Sequence, residues 1–170
     1  MPRPALGSYP SYAANYVKLV EADSLKDAVA KYSNAIADFF KNIPLEKIEY
    51  RYAENKWSVK EMLQHIIDAE RVFTYRAMCI ARKDPTSFPG FDENSYAANS
   101  KASTRSWKDI LDEFELTRRS TDLMLLSFDE EQLQQTGTTN NSRNNVNAIA
   151  FTLLGHLLHH KKILEERYLI

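Results

Sequence analysis

The chain contains few of the residues that form tight turns or covalent cross-links. It has four glycines and a single cysteine, Cys79, among 170 residues. Because one cysteine cannot form an internal disulfide, a disulfide-stabilised fold is excluded and a reducing compartment is favoured. Alternating β-branched segments separated by glycine turns, which are typical of β-sandwiches and barrels, are missing. We therefore expect an all-α protein located in the cytoplasm.

Neither charge nor hydropathy indicates a polyanionic or membrane partner. Lys and Arg total 22 and Asp and Glu total 23, so the net charge is −1. Such a balance provides no positive field to attract nucleic acid or anionic lipid. No apolar run approaches the roughly 20 residues that a transmembrane helix needs, and the first residues lack the apolar core of a signal peptide. We predict no nucleic-acid partner and no membrane association.

Helical periodicity and capping signals predict four long helices within one domain spanning residues 1–170. Residues 1–12, with three prolines, are expected to form an irregular leader, followed by a short helical turn from Tyr12 to Leu19. The predicted helices cover residues 24–43, 58–82, 106–127 and 145–168. The segment 83–103 contains prolines and a glycine that predict a long crossover without regular helix. This organisation favours an antiparallel four-helix bundle with a long crossover between the second and third helices.

Histidine is concentrated in one predicted helix. His156, His159 and His160 fall within five positions of the last helix, and the fourth histidine, His65, belongs to the second helix. Residues four apart project from adjacent turns of one helix face, so His156 and His160 can direct their imidazoles to one ion. His65 belongs to an apolar stripe that should face the bundle interior. Spacing alone leaves two interpretations open, a metal site and a set of hydrogen-bonded core histidines.

A three-histidine site would leave coordination positions free. Free positions are typical of catalytic zinc sites, whereas structural sites are closed by a fourth protein ligand. His159 lies at the edge of the inward face and is the weaker ligand candidate. Imidazole ligands accept several divalent metals, so the ligand set alone does not select among nickel, zinc, iron and copper.

Three further residues near the predicted site have alternative interpretations. Glu61, one turn before His65, could accept the proton of the imidazole nitrogen that binds no metal, but a helix-capping role is favoured. Arg76, three turns further along the same face, could bind an anionic substrate group, but an ion pair at the bundle rim is favoured. Trp57 is interpreted as a core aromatic residue.

A second apolar strip on the last helix lies nearly opposite its core face. It consists of Phe151, Leu154 and Leu158, and one bundle core does not require it. The strip predicts a contact either with another subunit or with a covering loop. The Asn-rich segment 140–145, just before this helix, predicts a turn and an N-cap that could line the site entrance.

Several motifs resemble the DinB-like family of metal-dependent four-helix bundles. They occur in the same order along nearly the whole chain and lie on two helices and the crossover between them. The motifs are Lys56-Trp57-Ser58, His65-Ile66-Ile67-Asp68-Ala69-Glu70-Arg71, Tyr75-Arg76, Ala81-Arg82-Lys83-Asp84, Phe88-Pro89-Gly90-Phe91-Asp92, Gly155-His156-Leu157-Leu158-His159-His160 and Glu166-Arg167-Tyr168-Leu169.

The resemblance implies a divalent metal, commonly nickel or zinc, held by His65, His156 and His160, and often a homodimer. It implies kinship with bacillithiol- and mycothiol-dependent S-transferases, maleylpyruvate isomerases and related hydrolases, and therefore a small-molecule substrate, with a low-molecular-weight thiol as one candidate. Family members often carry an acidic residue where this chain has Leu157. Two alternatives stay open, a non-catalytic, stress-associated metal-binding protein and a bundle that has lost its metal. No catalytic residue beyond the ligands is assigned.

Overall fold

The structure is a computed structural model that describes all 170 residues, as seven α-helices and one small sheet. The helices are α1 (Ala14–Val17), α2 (Leu25–Lys41), α3 (Val59–Ala81), α4 (Glu93–Asn99), α5 (Trp107–Ser127), α6 (Glu130–Gln134) and α7 (Val146–Arg167). The strands are β1 (Ser87–Phe88), β2 (Thr136–Thr139) and β3 (Ser142–Asn145). The four long helices α2, α3, α5 and α7 form the bundle that the sequence predicts. None of these helices combines the length and the apolar character that crossing a bilayer requires.

Each long helix begins at a polar side chain that caps it. Ser24, Ser58, Ser106 and Asn145 each accept a hydrogen bond from the backbone N–H three residues later. Such caps satisfy backbone donors that have no partner within the helix. Since capping depends only on nearby residues, the starts of all four helices follow directly from the sequence.

Two neighbouring pairs of bundle helices run antiparallel. In the pair α2 and α5, Ser33 lies 3.0 Å from Asp122, whereas Lys41, later in α2, contacts Glu115, earlier in α5, at 2.9 Å. The pair α3 and α7 also runs antiparallel, because Tyr168, just after the end of α7, donates to the carbonyl oxygen of Trp57, just before the start of α3. This second pair carries all four histidines.

The other two pairs run parallel, which explains the long crossover. Arg105 before α5 donates to Gln64 near the start of α3, and further along both helices Thr74 lies 3.3 Å from Thr121. The helices α2 and α7 also begin at the same end, where residue 2 contacts the starts of both. Parallel neighbours cannot be joined by a tight turn, so residues 82–106 must return along the bundle. The predicted bundle is confirmed, with an up-down-down-up order of its long helices.

The crossover is more regular than the sequence indicates. The prediction that residues 83–103 hold no regular helix is wrong, since the two-turn helix α4 lies within them. The side chain of Asp92 caps α4 by accepting hydrogen bonds from Asn94 N and Ser95 N, both at 3.0 Å. The helix starts just after the Pro-Gly pair at residues 89–90, so the breaking residues delimit it without interrupting it.

The crossover also supplies one strand of a three-stranded sheet, which is a minor addition to the all-α fold. The strand β1 pairs in parallel with β2, and β2 pairs antiparallel with β3. Asn140 and Asn141 form the hairpin turn with φ angles of 48° and 58°. Asparagine tolerates this left-handed backbone better than other non-glycine residues, and two-residue hairpins require it. The turn and the N-cap predicted for the Asn-rich segment are both present.

The second apolar strip of α7 is covered by the N-terminal segment of the same chain. Phe151 and Leu154 are fully buried and Leu158 is half-buried. Helix α1 packs on α7 so closely that a Cβ at Gly155 would lie 2.1 Å from the carbonyl oxygen of Tyr16. Of the two contacts predicted for this strip, the covering segment is therefore the one present. Residues 1–10, which precede α1, hold no helix and cross the start of α7.

Candidate metal centre

The antiparallel pair α3 and α7 brings three histidines together inside the bundle. The Nε2 atom of His156 lies 3.2 Å from Nε2 of His65 and 3.0 Å from Nε2 of His160. One ring nitrogen from each of the three residues lies within 4.8 Å of the others, and all three side chains are buried. The structure thus brings together the three residues that spacing and family resemblance select, which we call the histidine triad.

The donor set of the triad and the two nitrogen separations that involve His156 fit a divalent metal ion. Metal–imidazole bonds of about 2.0–2.1 Å place neighbouring ligand nitrogens roughly 2.9–3.4 Å apart in tetrahedral or octahedral geometry. Both Nε2 distances from His156 fall in that range. The Nδ1 atoms of His65 and His160 are buried without a hydrogen-bond partner. Both rings thus keep their Nε2 atoms for an ion, while no residue of the chain accepts a proton from their Nδ1 atoms.

Burial keeps the triad imidazoles neutral. It lowers the pKa of His65 to about 4, against the opposing effect of the Glu93 carboxylate. Burial also lowers the pKa of His156 and of His160 well below the usual value, and the neighbouring histidines lower both further. A neutral imidazole has a free lone pair, which is the form that binds metals. The triad is therefore ready to coordinate an ion at neutral pH.

A cavity of about 310 Å³ opens directly beside the triad. Its walls come from the N-terminal segment, α3, the crossover, the hairpin and α7, whereas α2 and α5 contribute no residue to them. Besides the triad, the residues that give the wall its character are Tyr12, Tyr16, Phe73, Arg76, Glu93 and His159. This volume lies at the lower end of the range for small-molecule sites. The Asn140 side chain at the hairpin turn also lines it, as the sequence predicts for the Asn-rich segment.

Trp57 is a site residue that the sequence analysis missed. Its ring packs against His65 with a centroid separation of 4.6 Å and an interplanar angle of 37°. It lines both the main cavity and a second one of about 220 Å³ that also reaches His160. A tryptophan just before a helix cap is ordinarily a core residue. Two signals for Trp57 were available, namely its adjacency to the capping motif of the His65 helix and its place in the first motif that resembles the family.

Glu61 does not contact the triad. Its carboxylate accepts hydrogen bonds from Ser58 N at 2.7 Å and from Arg51 at 2.8 Å. Burial would raise the pKa of Glu61, but Arg51 and the Ser58 amide outweigh it and lower this pKa below its ordinary value. The structure therefore places Glu61 in the capping box of α3, where it does not hold an imidazole.

Arg76 and His159 both line the cavity beyond the triad. Arg76 donates to the carbonyl oxygen of Pro89 and has no carboxylate within 4 Å, so the favoured ion-pair interpretation is wrong. His159 is half-buried and meets the Tyr16 ring edge-on at a centroid distance of 5.5 Å. It stays outside the group of converging nitrogens, as its position at the edge of the helix face predicts.

Comparisons with known proteins agree with this architecture. YfiT from Bacillus subtilis, described as a probable metal-dependent hydrolase with an unusual four-helix bundle topology, superposes with a TM-score of 0.71 and 12% identity. The alignment covers 96% of this chain and 89% of that one. The mycothiol-dependent maleylpyruvate isomerase superposes with a TM-score of 0.66 and 8% identity, over 88% of this chain and 59% of that one.

At such low identities these two structures establish the fold alone. No curated protein matches the sequence. The model of the DinB superfamily matches residues 32–164, a range that includes the complete histidine triad. By this match over most of its length, the chain belongs to the DinB superfamily.

Proposed function

We propose that the protein is a metal-dependent enzyme, of the thiol-dependent S-transferase or hydrolase type, that acts on a small-molecule substrate. His65, His156 and His160 would hold a divalent metal, with nickel or zinc as the candidates. The observation that carries this proposal is the convergence of three buried, neutral imidazoles at the wall of a cavity of about 310 Å³. Chemistry at such a site needs both an ion and space for a reactant beside it.

A divalent metal at the triad would supply Lewis-acid chemistry, which lowers the pKa of a thiol or water bound to it. The residues around the triad would limit the access of water and accept protons. Trp57 and Phe73 cover the site with aromatic surface and limit the access of water. His159 and Glu93 line the same cavity and are the candidate acceptors for the proton that the nucleophile loses.

The two solved structures support the choice of reaction class. One is described as a probable metal-dependent hydrolase and the other as mycothiol-dependent. A bound thiol and a bound water are alternative nucleophiles for the same kind of site. We therefore propose a low-molecular-weight thiol as the first co-substrate to test and water as the second.

The alternatives are a non-catalytic, stress-associated metal-binding protein and a bundle that has lost its metal. A binding or sensor protein would be expected to close its site with a fourth protein ligand. No further histidine, cysteine or carboxylate joins the three triad nitrogens, and the cavity adjoins them directly. These observations favour the enzyme.

Elemental analysis of the untagged protein tests the metal site. We expect near-stoichiometric divalent metal in the wild type and loss of that metal in the double variant His156→Ala, His160→Ala. His159→Ala is the matched control, because it removes a neighbouring imidazole that does not converge with the others, and it should keep its metal. Absence of metal after reconstitution would support the metal-free alternative and overturn the proposal.

Turnover separates the enzyme from the non-catalytic alternative. Metal-loaded protein would be screened with low-molecular-weight thiols and electrophiles, and separately with hydrolysable esters and amides. Metal-dependent turnover that the double variant lacks is expected. Full metal occupancy without turnover in either screen would favour the binding protein.

The proposal includes a homodimer and a cytoplasmic location. The apolar strip of α7 no longer supports a dimer, since the chain itself covers it. The family resemblance still supports a dimer. Exposed apolar side chains on α3 and α5, including Tyr75 and Leu116, offer a surface for the contact between the two subunits. The single cysteine, buried and unpaired, fits a reducing compartment. Light scattering that gives the mass of one chain would remove the dimer.

A further inference from the structure

A buried guanidinium faces the cavity without a charged partner. The side chain of Arg76 is 7% exposed, and its one protein hydrogen bond goes to the carbonyl oxygen of Pro89. Arginine has five N–H donors and stays protonated, so most of its hydrogen-bonding capacity remains for the cavity. Burial of a charge without a counter-ion is costly, and buried charges are normally paired. The missing partner is therefore expected to be an anion that enters the cavity.

The charges in the cavity are separated along its length. Arg76 is its only lysine or arginine, and Glu93 is its only carboxylate. The start of α4, which carries Glu93, lies near the triad, because the next residue, Asn94, lines the second cavity together with His160. Arg76 instead contacts Pro89, earlier in the crossover. The cavity thus has an end with the triad and Glu93 and a cationic end at Arg76.

The helix geometry sets the distance between the two ends. Arg76 follows His65 by 11 positions on α3, which corresponds to about 16 Å along the axis and only about 20° around it. Helical side chains lean toward the N-terminus, so the guanidinium extends back toward the triad. A small molecule can therefore reach both ends of the cavity at once.

We infer that Arg76 binds a carboxylate group of the substrate or thiol co-substrate, while the reacting atom of the same molecule lies at the histidine triad. This inference rests on the proposed function of the triad. The cavity offers an anion one guanidinium, and the Glu93 side chain is its one acidic group. This arrangement suits a ligand group with a single negative charge, such as a carboxylate, since phosphate sites usually combine several donors. The reactant is thus a small molecule with its reactive atom and its anionic group at opposite ends.

The test uses cobalt-loaded protein and a matched pair of thiols. The probes are 6-mercaptohexanoate and 6-mercaptohexan-1-ol, which differ only in the terminal carboxylate. Binding is measured by the cobalt–thiolate charge-transfer absorption, which requires no turnover. A hydrogen-bonded charge contributes about 1.5–3 kcal/mol, so the acid should bind about 10–100-fold more tightly than the alcohol. Equal affinities in the wild type would overturn the inference.

Variants assign the preference to Arg76. Arg76→Gln should lower the affinity for the acid to about that for the alcohol and so abolish the difference between them. Arg119→Gln is the matched control, because Arg119 is exposed and forms no ion pair or side-chain hydrogen bond, and it should keep the preference. Arg76→Lys keeps the charge but loses the planar guanidinium, so it should keep a reduced preference for the acid. This variant replaces Arg76→Gln in the test if Arg76→Gln does not fold. A full preference in a folded Arg76 variant would contradict the assignment.

Two further arms separate the alternatives. A thiol that ends in a phosphate is expected to bind less tightly than the carboxylate, and tighter binding would overturn the assignment of a carboxylate. Failure of the protein to bind cobalt, nickel and zinc would instead refute the proposed function. In that case calorimetry of metal-free protein with hexanoate and hexan-1-ol tests Arg76 alone, and a preference for hexanoate that Arg76→Gln lacks would support the anion site without the metal.

Discussion

The substitution Gly155→Ala tests whether the N-terminal segment is held on α7 by a close backbone contact. In an ordinary helix this change is stabilising by about 1 kcal/mol, because alanine is the better helix former. Here the added Cβ would lie 2.1 Å from the Tyr16 carbonyl oxygen and 2.4 Å from its carbonyl carbon. We therefore expect the opposite sign.

The size of the effect follows from the distance that the backbone must move. A carbon and a carbonyl oxygen approach to about 3.3 Å, so α1 must shift by about 1.2 Å. Overpacking costs about 1–3 kcal/mol, and a contact with backbone, which cannot rotate away, belongs at the upper end. After subtraction of the helix-propensity gain, the free energy of unfolding should fall by about 2 kcal/mol. For a chain of this size that corresponds to a melting temperature lower by about 4–8 °C.

Urea unfolding of metal-free protein measures this difference without a contribution from bound ligand. Gly90→Ala is the control, because its Cβ would meet only the tip of the Asn140 side chain, which can rotate away. We expect a smaller loss in the control than in Gly155→Ala. A Gly155→Ala variant that is more stable than the wild type by about 1 kcal/mol would show that α1 does not pack on α7 in this way.

Three further predictions concern buried charge, acid sensitivity and the metal. Arg118→Ala should lower the free energy of unfolding by about 3–5 kcal/mol in urea, because it leaves Glu70 and Asp122 buried without a cation. Glu61→Gln should cost about 1 kcal/mol at neutral pH. Because interactions with Arg51 and a backbone amide lower the pKa of Glu61, its stabilisation is present above the ordinary value of 4.5 and is lost as pH falls through the lower folded pKa. Urea titrations of variant and wild type should therefore converge in acid. Chelation of the metal proposed for the triad should lower the melting temperature, as followed by circular dichroism, and have no effect on variants that lack the triad imidazoles.

These predictions have clear contrary outcomes. Arg119→Ala, an exposed arginine one position along α5, is the control for Arg118→Ala and should change stability little. Equal effects of the two substitutions would mean that the buried charges find other partners. Glu54→Gln, at an exposed carboxylate without a side-chain partner, is the control for Glu61→Gln. A constant stability difference between Glu61→Gln and the wild type down to pH 3 would refute the assigned pKa direction.

The sequence predicts helix positions well because their signals are local. Ser58 and Glu61 specify the start of α3 through contacts three residues apart, and Pro44 limits α2 in the same way. The relative directions of the helices depend on contacts between distant residues, such as Thr74 and Thr121, which no local pattern shows. The crossover helix α4 was missed because two turns are too short for periodicity to identify.

In the candidate site, too, local sequence patterns predict some residues, whereas others depend on contacts between distant parts of the chain. His156 and His160 follow from their spacing on one helix, and His65 from its apolar stripe, so the convergence of the triad could be predicted. The sequence offers an anion-binding role for Arg76 but does not favour it over an ion pair, because the choice depends on where the crossover places Pro89. The ion-pair interpretation assumed that a long helix presents arginine at the rim of the bundle. The folded crossover encloses that stretch of α3 instead.

The N-terminal segment shows why the cavity wall is hardest to infer from sequence. Tyr12 and Tyr16 lie in the leader and in the short helical turn after it, where the residues carry no pattern that indicates a site. Their place beside the triad depends on Gly155, which alone lets the α1 backbone approach α7 directly before His156. The close approach at Gly155 therefore lies next to His156 of the triad. Loss of the close approach should move both tyrosines away from the triad and leave the triad histidines on α3 and α7 in place. Gly155→Ala is thus expected to keep its metal, while its affinity for a reactant in the cavity changes.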